Sequence, residues 1–172
     1  MNILIIGGSS FIGKNLISRI PNNWNVRATY NKSNTFLKFA KNFSNVEAIK
    51  TNLFNNELPD IDSSEIILYL AGISPGQVDK DLIGGLNKMD FLHAKVISSL
   101  FNKINMCKKF IYFSSGIYYL CKDFSRYRKS RLIGEANLKL YSKNKNISYV
   151  IVRNMEIYGK YMAKHKLYRK IC

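Results

Sequence analysis

Two groups of residues in this 172-residue chain have the types and spacing to do chemistry. The first is the turn Gly7-Gly8-Ser9-Ser10-Phe11-Ile12-Gly13, which follows the apolar run Ile3, Leu4, Ile5, Ile6. Gly7 and Gly8 permit a sharp reversal, and Gly13 lets the helix that follows lie close to a sheet. Backbone N–H groups at a helix start have no intrahelical partner, and the helix dipole favours negative charge there, so a pyrophosphate fits such a turn. Ser10 is small enough to sit beside it and to donate its hydroxyl. An ordinary strand-to-helix connection is the plain alternative. The second group is Tyr127 and Arg131, four residues apart and therefore on one face of a helix, both within reach of a cofactor edge. A phenol with a pKa of about 10 is a poor proton acceptor at neutral pH, and a neighbouring cation stabilises its phenolate.

The elements that must hold these groups follow from pattern. Ile3 to Ile6 are consecutive rather than alternating, as in a central parallel strand covered on both faces. A helix is expected over roughly residues 11–20, closed by Pro21, then strand WNVRATYN, a short helix NTFLKFAKNF and strand NVEAIKTNL. EIILYLAGIS reads as another buried strand, followed by a polar loop at 74–85. In MDFLHAKVISSLFNKIN the residues Phe91, Leu92, Val96, Ile97, Leu100, Phe101 and Ile104 fall at helical spacing and mark a core face. His93 on that helix has no second ligand at metal spacing, and reads as a surface or packing histidine. Strand KKFIYFSSGIYY, helix FSRYRKSRLIGEANLKLY and strand ISYVIVRNMEIYGK complete the pattern. Strands alternating with helices give an α/β fold with a doubly wound parallel sheet.

Several of these segments match a known family. Gly7, Ser10 and Gly13, with Phe11 and Ile12, resemble the GxxGFIG turn of the extended short-chain dehydrogenase/reductase family, the NAD(P)-dependent sugar epimerases and dehydratases. Ser10 stands where that turn usually has glycine. Leu70-Ala71-Gly72 resembles the family's HLAA or NAG turn, and FIYFSSGIYY its RFVYxSSxxVYG strand. Tyr127, Ser130, Leu132 and Glu135 match its Y-x-x-S-K-L-x-x-E helix, with Arg131 in the lysine position, and Arg153, Tyr158 and Gly159 match its LRxxNVYGP segment.

The resemblance implies a Rossmann sheet in the order 3-2-1-4-5-6 and a cofactor held by Gly7, Ser10, Phe11, Ile12 and Gly13. Leu70, Ala71 and Gly72 would run alongside it, and Asn52-Leu53 would stand at the adenine. Where the strand WNVRATYN ends, an acid would hold the ribose hydroxyls of NAD and a cation would accommodate the phosphate of NADP. The chain has Asn31 and Lys32 there and no acid, so NADP is preferred and NAD possible, although Lys32 also reads as a solvated loop lysine. By resemblance Ser115 bonds the reacting oxygen, Tyr127 exchanges the proton, and Arg131 takes the place of the lysine that supports the phenolate and grips the nicotinamide ribose. Ser114 and Ser115 are otherwise small residues at a strand end. Arginine is longer and planar, so binding is expected to survive the exchange better than turnover.

The substrate class implied is a nucleotide-linked sugar, and the family's dimer forms through helices near 90–105 and 125–142. Residues 1–160 are expected to form the NAD(P)-binding domain and 161–172 a short basic tail, with the substrate lobe missing. The first reading is thus an oxidoreductase of the epimerase, dehydratase or reductase type, acting on a nucleotide-linked sugar and truncated. A catalytically defective cofactor-binding remnant or subunit, favoured by Ser10, Arg131 and the missing lobe together, stands against it. Loss of a neighbour at the sixth strand predicts self-association.

Bulk properties exclude other classes. The formal charge of +16 raises nucleic-acid binding as a third reading. The cations are scattered and enriched only in the final KYMAKHKLYRK, with no nucleic-acid motif, so that partner is not expected. The charge also suits an anionic cofactor and substrate. No stretch is apolar enough to span a membrane, and the start is no signal peptide, so a cytoplasmic chain is expected. Cys107, Cys121 and Cys172 have neither metal nor redox spacing, and no metal is expected.

Overall fold

The computed structural model describes residues 1–73, 87–116, 126–155 and 157–162. The loop expected at 74–85 and residues 163–172 of the tail lie outside the described residues. Six strands form one sheet: β1 (Asn2–Ile6), β2 (Asn25–Tyr30), β3 (Val46–Lys50), β4 (Ile66–Tyr69), β5 (Lys109–Ser115) and β6 (Ser148–Asn154). Their order is β3-β2-β1-β4-β5-β6 and every neighbouring pair is parallel, as the sequence led us to expect.

The consecutive apolar residues of β1 divide between two cores. Leu4 and Ile6 enter the face that holds Ile67, Tyr69, Leu100, Phe101, Phe110 and Tyr112. Ile3 and Ile5 enter the other, with Ile17, Val26, Ala28 and Phe36. Each such side chain contributes about 1.5–3 kcal/mol by leaving water. This two-sided burial fixes β1 at the centre, so the turn that follows it emerges at mid-sheet.

Helices α1 (Phe11–Ile17) and α2 (Asn34–Ala40) cover one face. Both are shorter than their patterns. Arg19 N bonds Leu16 O, while Asn42 N and Phe43 N bond Phe39 O and Ala40 O, so the last turns tighten to i, i+3 bonding. The other face carries α3 (Ile97–Lys103) and α4 (Arg126–Lys145). A π-helical turn, Phe91–Val96, precedes α3 where the sequence led us to expect plain α-helix. Side chains take up its carbonyls: the Tyr69 hydroxyl donates to Leu92 O at 2.6 Å, and Asn137 Nδ2 to His93 O at 3.4 Å.

β6 closes one edge of the sheet. Tyr149 and Val150 on it are exposed, as are Met155, Ile157 and Tyr158 just beyond.

Candidate functional site

The turn after β1 is shaped by close backbone contacts. Gly7 has φ +90°, and a Cβ there would lie 2.9 Å from Ala71 N, so the turn backs onto the end of β4. Its amide donates to Thr29 Oγ1 at 2.9 Å, tying the turn to β2 as well. At Gly13 a Cβ would lie 2.7 Å from the Gly8 carbonyl carbon, so α1 starts in contact with the turn itself.

Ser10 is the N-cap of α1. Its Oγ accepts from Gly13 N at 3.0 Å and its carbonyl accepts from Lys14 N at 3.0 Å. The expectation of an entirely open row of amides is therefore corrected at Gly13, whose N–H the Ser10 side chain takes. The amides of Phe11 and Ile12 have no partner among the described residues, and the Ser10 hydroxyl keeps its proton for donation.

Beyond this turn a cleft of about 590 Å³ opens at the carboxyl ends of β1, β2 and β4. The strand order turns outward from β1 in both directions there, which is where open α/β sheets take ligands. Of the residues singled out from sequence, Gly7, Ser10, Asn31, Lys32, Leu53, Leu70, Ala71 and Gly72 line it. Thr29, Thr51, Phe54 and Lys88 line it too and were not foreseen. A hydroxyl near the carboxyl end of a strand is the one signal that marks Thr29, and Lys88 carries none. Among the described residues no carboxylate lines the cleft, while Lys32 and Lys88 do. A smaller hollow of about 370 Å³, lined by Asn2, Asn25 and Val46, lies at the opposite ends of the strands.

Asn52 stands beside the cleft rather than in its wall. Its Oδ1 accepts from Phe54 N at 3.3 Å and from Asn31 Nδ2 at 3.4 Å, so the oxygen expected at adenine is already shared.

Ser115 ends β5 and is buried, in register with Asn154 of β6. Beside it Ser114 donates to Glu135 Oε1 at 2.7 Å, and Glu135 receives Arg153 Nη2 at 2.6 Å and Arg153 Nε at 3.0 Å. Two of the motif residues thus act as a tie, joining the end of β5 to α4 and β6.

Tyr127, in the first turn of α4, is half-buried, and its carbonyl accepts from Ser130 Oγ at 2.9 Å. The guanidinium carbon of Arg131 lies 5.2 Å from the Tyr127 ring centroid, so the shared helix face does bring the pair together. The guanidinium itself runs inward, however. Arg131 is only 8% exposed, its Nη1 donates to Phe113 O at 3.2 Å, and a Cβ on Gly72 would meet its Nη2 at 2.6 Å. The missing side chain of Gly72 leaves the space that the long arm fills beneath the end of β4. Burial pushes the Arg131 pKa down, but the facing Tyr127 and Tyr112 phenols outweigh it and the net shift is upward, so the cation persists. Ser115, Tyr127 and Arg131 are not among the cleft-lining residues.

His93, a packing residue, is fully buried. Among the described residues no group of three or more His, Cys, Asp or Glu could hold a metal, and no helix is long and apolar enough to cross a membrane.

Known structures share this architecture. The UDP-glucuronic acid 4-epimerase from Bacillus cereus, in complex with NAD, superposes with a TM-score of 0.75 at 22% identity, over 99% of this chain and 61% of that one. A UDP-N-acetylglucosamine 4-epimerase from Methanobrevibacter ruminantium gives 0.78 at 20% identity, over 97% of this chain and 58% of its own. The dTDP-glucose 4,6-dehydratase from Streptomyces venezuelae, with NAD bound, gives 0.78 at 14%, over 99% and 60%. The chain thus spans about three fifths of each of these proteins, and at such identities the likeness is one of fold. No curated protein matches it by sequence. The model of one sequence family does match, over residues 3–172, and on that match the chain belongs to the NAD dependent epimerase/dehydratase family.

Proposed function

We propose that the chain binds a nicotinamide dinucleotide in the cleft at the carboxyl ends of β1, β2 and β4, as the cofactor half of a nucleotide-sugar oxidoreductase. The observation that carries this reading is the cleft itself: glycine-built on one wall, apolar at Leu53, Leu70 and Ala71, cationic at Lys32 and Lys88, and about 590 Å³ in volume. Phe11 and Ile12 do not line the cleft, but they follow Ser9 and Ser10, which do, and their amides, without a partner among the described residues, suit a pyrophosphate at that end. Lys32, with no acid where β2 ends, favours the additional phosphate of NADP over the bare ribose of NAD. Leu53 and Phe54 offer apolar surface to a purine.

The bound cofactor would supply hydride transfer. The chain's own residues would do the rest. Ser115 holds the reacting oxygen of a nucleotide-linked sugar, Tyr127 takes or gives the proton at its hydroxyl, and Arg131 sets the charge beside it. These three roles, and a dimer of two copies through the helical segments near 90–105 and 125–142, follow the family's pattern. Residues 1–160 act as the cofactor domain and 161–172 as a basic tail.

One observation favours a second reading, a chain that binds cofactor without turning over. The Arg131 guanidinium is committed to Phe113 O and lies under Gly72 rather than open to the cleft. Titration with NADH and NADPH, followed by nicotinamide fluorescence, tests the first claim; saturable binding with NADPH the tighter is expected, and no binding by either refutes it. Incubation of the cofactor-loaded chain with UDP-glucose and UDP-glucuronic acid separates the two readings, since turnover supports the enzyme and its absence the binder.

A further inference from the structure

The helical stretch that runs from residue 87 through the π-helical turn to the end of α3 keeps one face buried, and the residues on that face recur every four places. Met89, His93, Ile97 and Phe101 are each at most 1% exposed, and Leu92, Val96 and Leu100 run beside them at no more than 3%. A plain α-helix turns once in about 3.6 residues, so each step of four overshoots by about 40° and three steps carry the face round by about 120°. The π-helical turn Phe91–Val96 absorbs one residue, about 100°, and cuts that drift to about 20°.

Whatever precedes the turn is therefore rotated by about 100° from where an unbroken α-helix would put it. Lys88 lies in that rotated part. It is exposed, and with Leu92, one turn on, it lines the cleft beside Leu53, Phe54 and Gly72. With α3 fixed in the core, an unbroken helix would swing Lys88 off this wall and take Met89 out of the interior.

The turn is held from β4. Tyr69 is fully buried and donates its hydroxyl to Leu92 O at 2.6 Å, while Leu70, Ala71 and Gly72, which follow it directly, line the cleft. One strand end thus carries both a wall of the cleft and the clamp on the segment that brings the cation. Strand order then separates the two lysines of the cleft. β2 and β4 flank β1 on opposite sides; Lys32 follows β2, and Lys88 comes from the segment clamped to β4. On the dinucleotide reading given above, on which this inference rests, the additional phosphate of NADP is read where β2 ends, and the diphosphate common to NADH and NADPH lies over the turn after β1, between the two lysines. We propose that Lys88 binds that diphosphate, aimed into the cleft by the π-helical turn, and that Tyr69 is the positioning residue that holds the turn. The compact charge of a lysine on its flexible stem suits this reach.

The test measures the affinity of the full chain for NADH and for NADPH by nicotinamide fluorescence. Lys88→Gln should weaken both about tenfold, the loss of one charge-assisted contact. Lys32→Gln should weaken NADPH alone. Lys95→Gln, exposed on the turn itself but not on the cleft wall, should change neither by as much as about twofold. Tyr69→Phe keeps the ring and removes only the hydroxyl; it should weaken both cofactors about three- to fivefold in wild type and less than about twofold in a Lys88→Gln background. A merely structural role for Tyr69 gives equal losses in both backgrounds and overturns the positioning claim. Unchanged affinities in Lys88→Gln, or a loss for NADPH alone, overturn the binding claim while the proposed function stands. If wild type binds neither cofactor, the proposed function itself fails and takes this inference with it.

Discussion

Glu135→Gln tests whether the end of β5 is held by charge. The Glu135 carboxylate is 3% exposed and accepts from Ser114 Oγ at 2.7 Å, Arg153 Nη2 at 2.6 Å and Arg153 Nε at 3.0 Å. Glutamine keeps one acceptor oxygen but turns an NH2 group toward a guanidinium, so two donors face each other. Breaking a fully buried pair costs about 3–5 kcal/mol, and an exposed pair is worth about 0–1 kcal/mol. Arg153 keeps 38% of its side chain in solvent and can be rehydrated, which places the cost between these limits, at about 2–3 kcal/mol. For a domain of this size about 2–4 °C is lost per kcal/mol, so the thermal midpoint should fall by about 4–12 °C. Ser115 follows Ser114 directly, and its position should loosen with the tie. Circular dichroism melts of Glu135→Gln, Arg153→Met and the double variant form a cycle, with an expected coupling of about 1–2 kcal/mol. A midpoint shift under about 1 °C, or strictly additive losses, would refute the reasoning.

Other expectations follow from particular contacts. Gly13→Ala sets a Cβ against the backbone of Gly8, which cannot swing aside, so it should cost about 1–3 kcal/mol or more in chemical denaturation and abolish NADPH binding. Gly72→Ala meets only the movable end of Arg131, so the fold should lose under about 1 kcal/mol while Arg131 shifts; a crystal structure with Arg131 unmoved contradicts this. His93 has a folded pKa depressed well below 6.5 by burial, so the unfolded chain binds the extra proton first. Stability from this group is present above about pH 6.5 and should fall by up to about 1.4 kcal/mol per pH unit below it. Urea titrations at pH 7.5 and 5.5 check the slope, which should flatten in His93→Gln. The exposed Tyr149 and Val150 on edge strand β6 should promote self-association, and a concentration-independent monomer by gel filtration would count against that.

The sheet was legible because local patterns carried it. Ile3 to Ile6, the apolar run of EIILYL and the glycines at the first turn each admit few arrangements, and all agree on one. The parts that escaped depend on partners distant in the chain. The helical spacing of Phe91 to Ile104 could not show a π-helical turn whose carbonyls are taken by Tyr69 and Asn137 from other elements. His93 offered no ligand spacing because its partner Tyr112 sits on a strand across the core. The inward course of Arg131 depends on an absent side chain at Gly72, and helix geometry shows only that Tyr127 and Arg131 share a face. Ser10 is the opposite case. A small hydroxyl just before a helical run is an N-cap signal that the sequence alone carries, and the cap leaves the Ser10 proton available to a ligand.

The central claim is that the cleft above the Gly7 to Gly13 turn takes a dinucleotide, and mapping amide resonances during a titration with NADPH tests it most directly. The account predicts saturable shifts at Phe11, Ile12, Lys32 and Ala71, with Asn25 and Val46 at the far ends of the strands unmoved. Shifts confined to that far end, or none at millimolar NADPH and NADH, would contradict it.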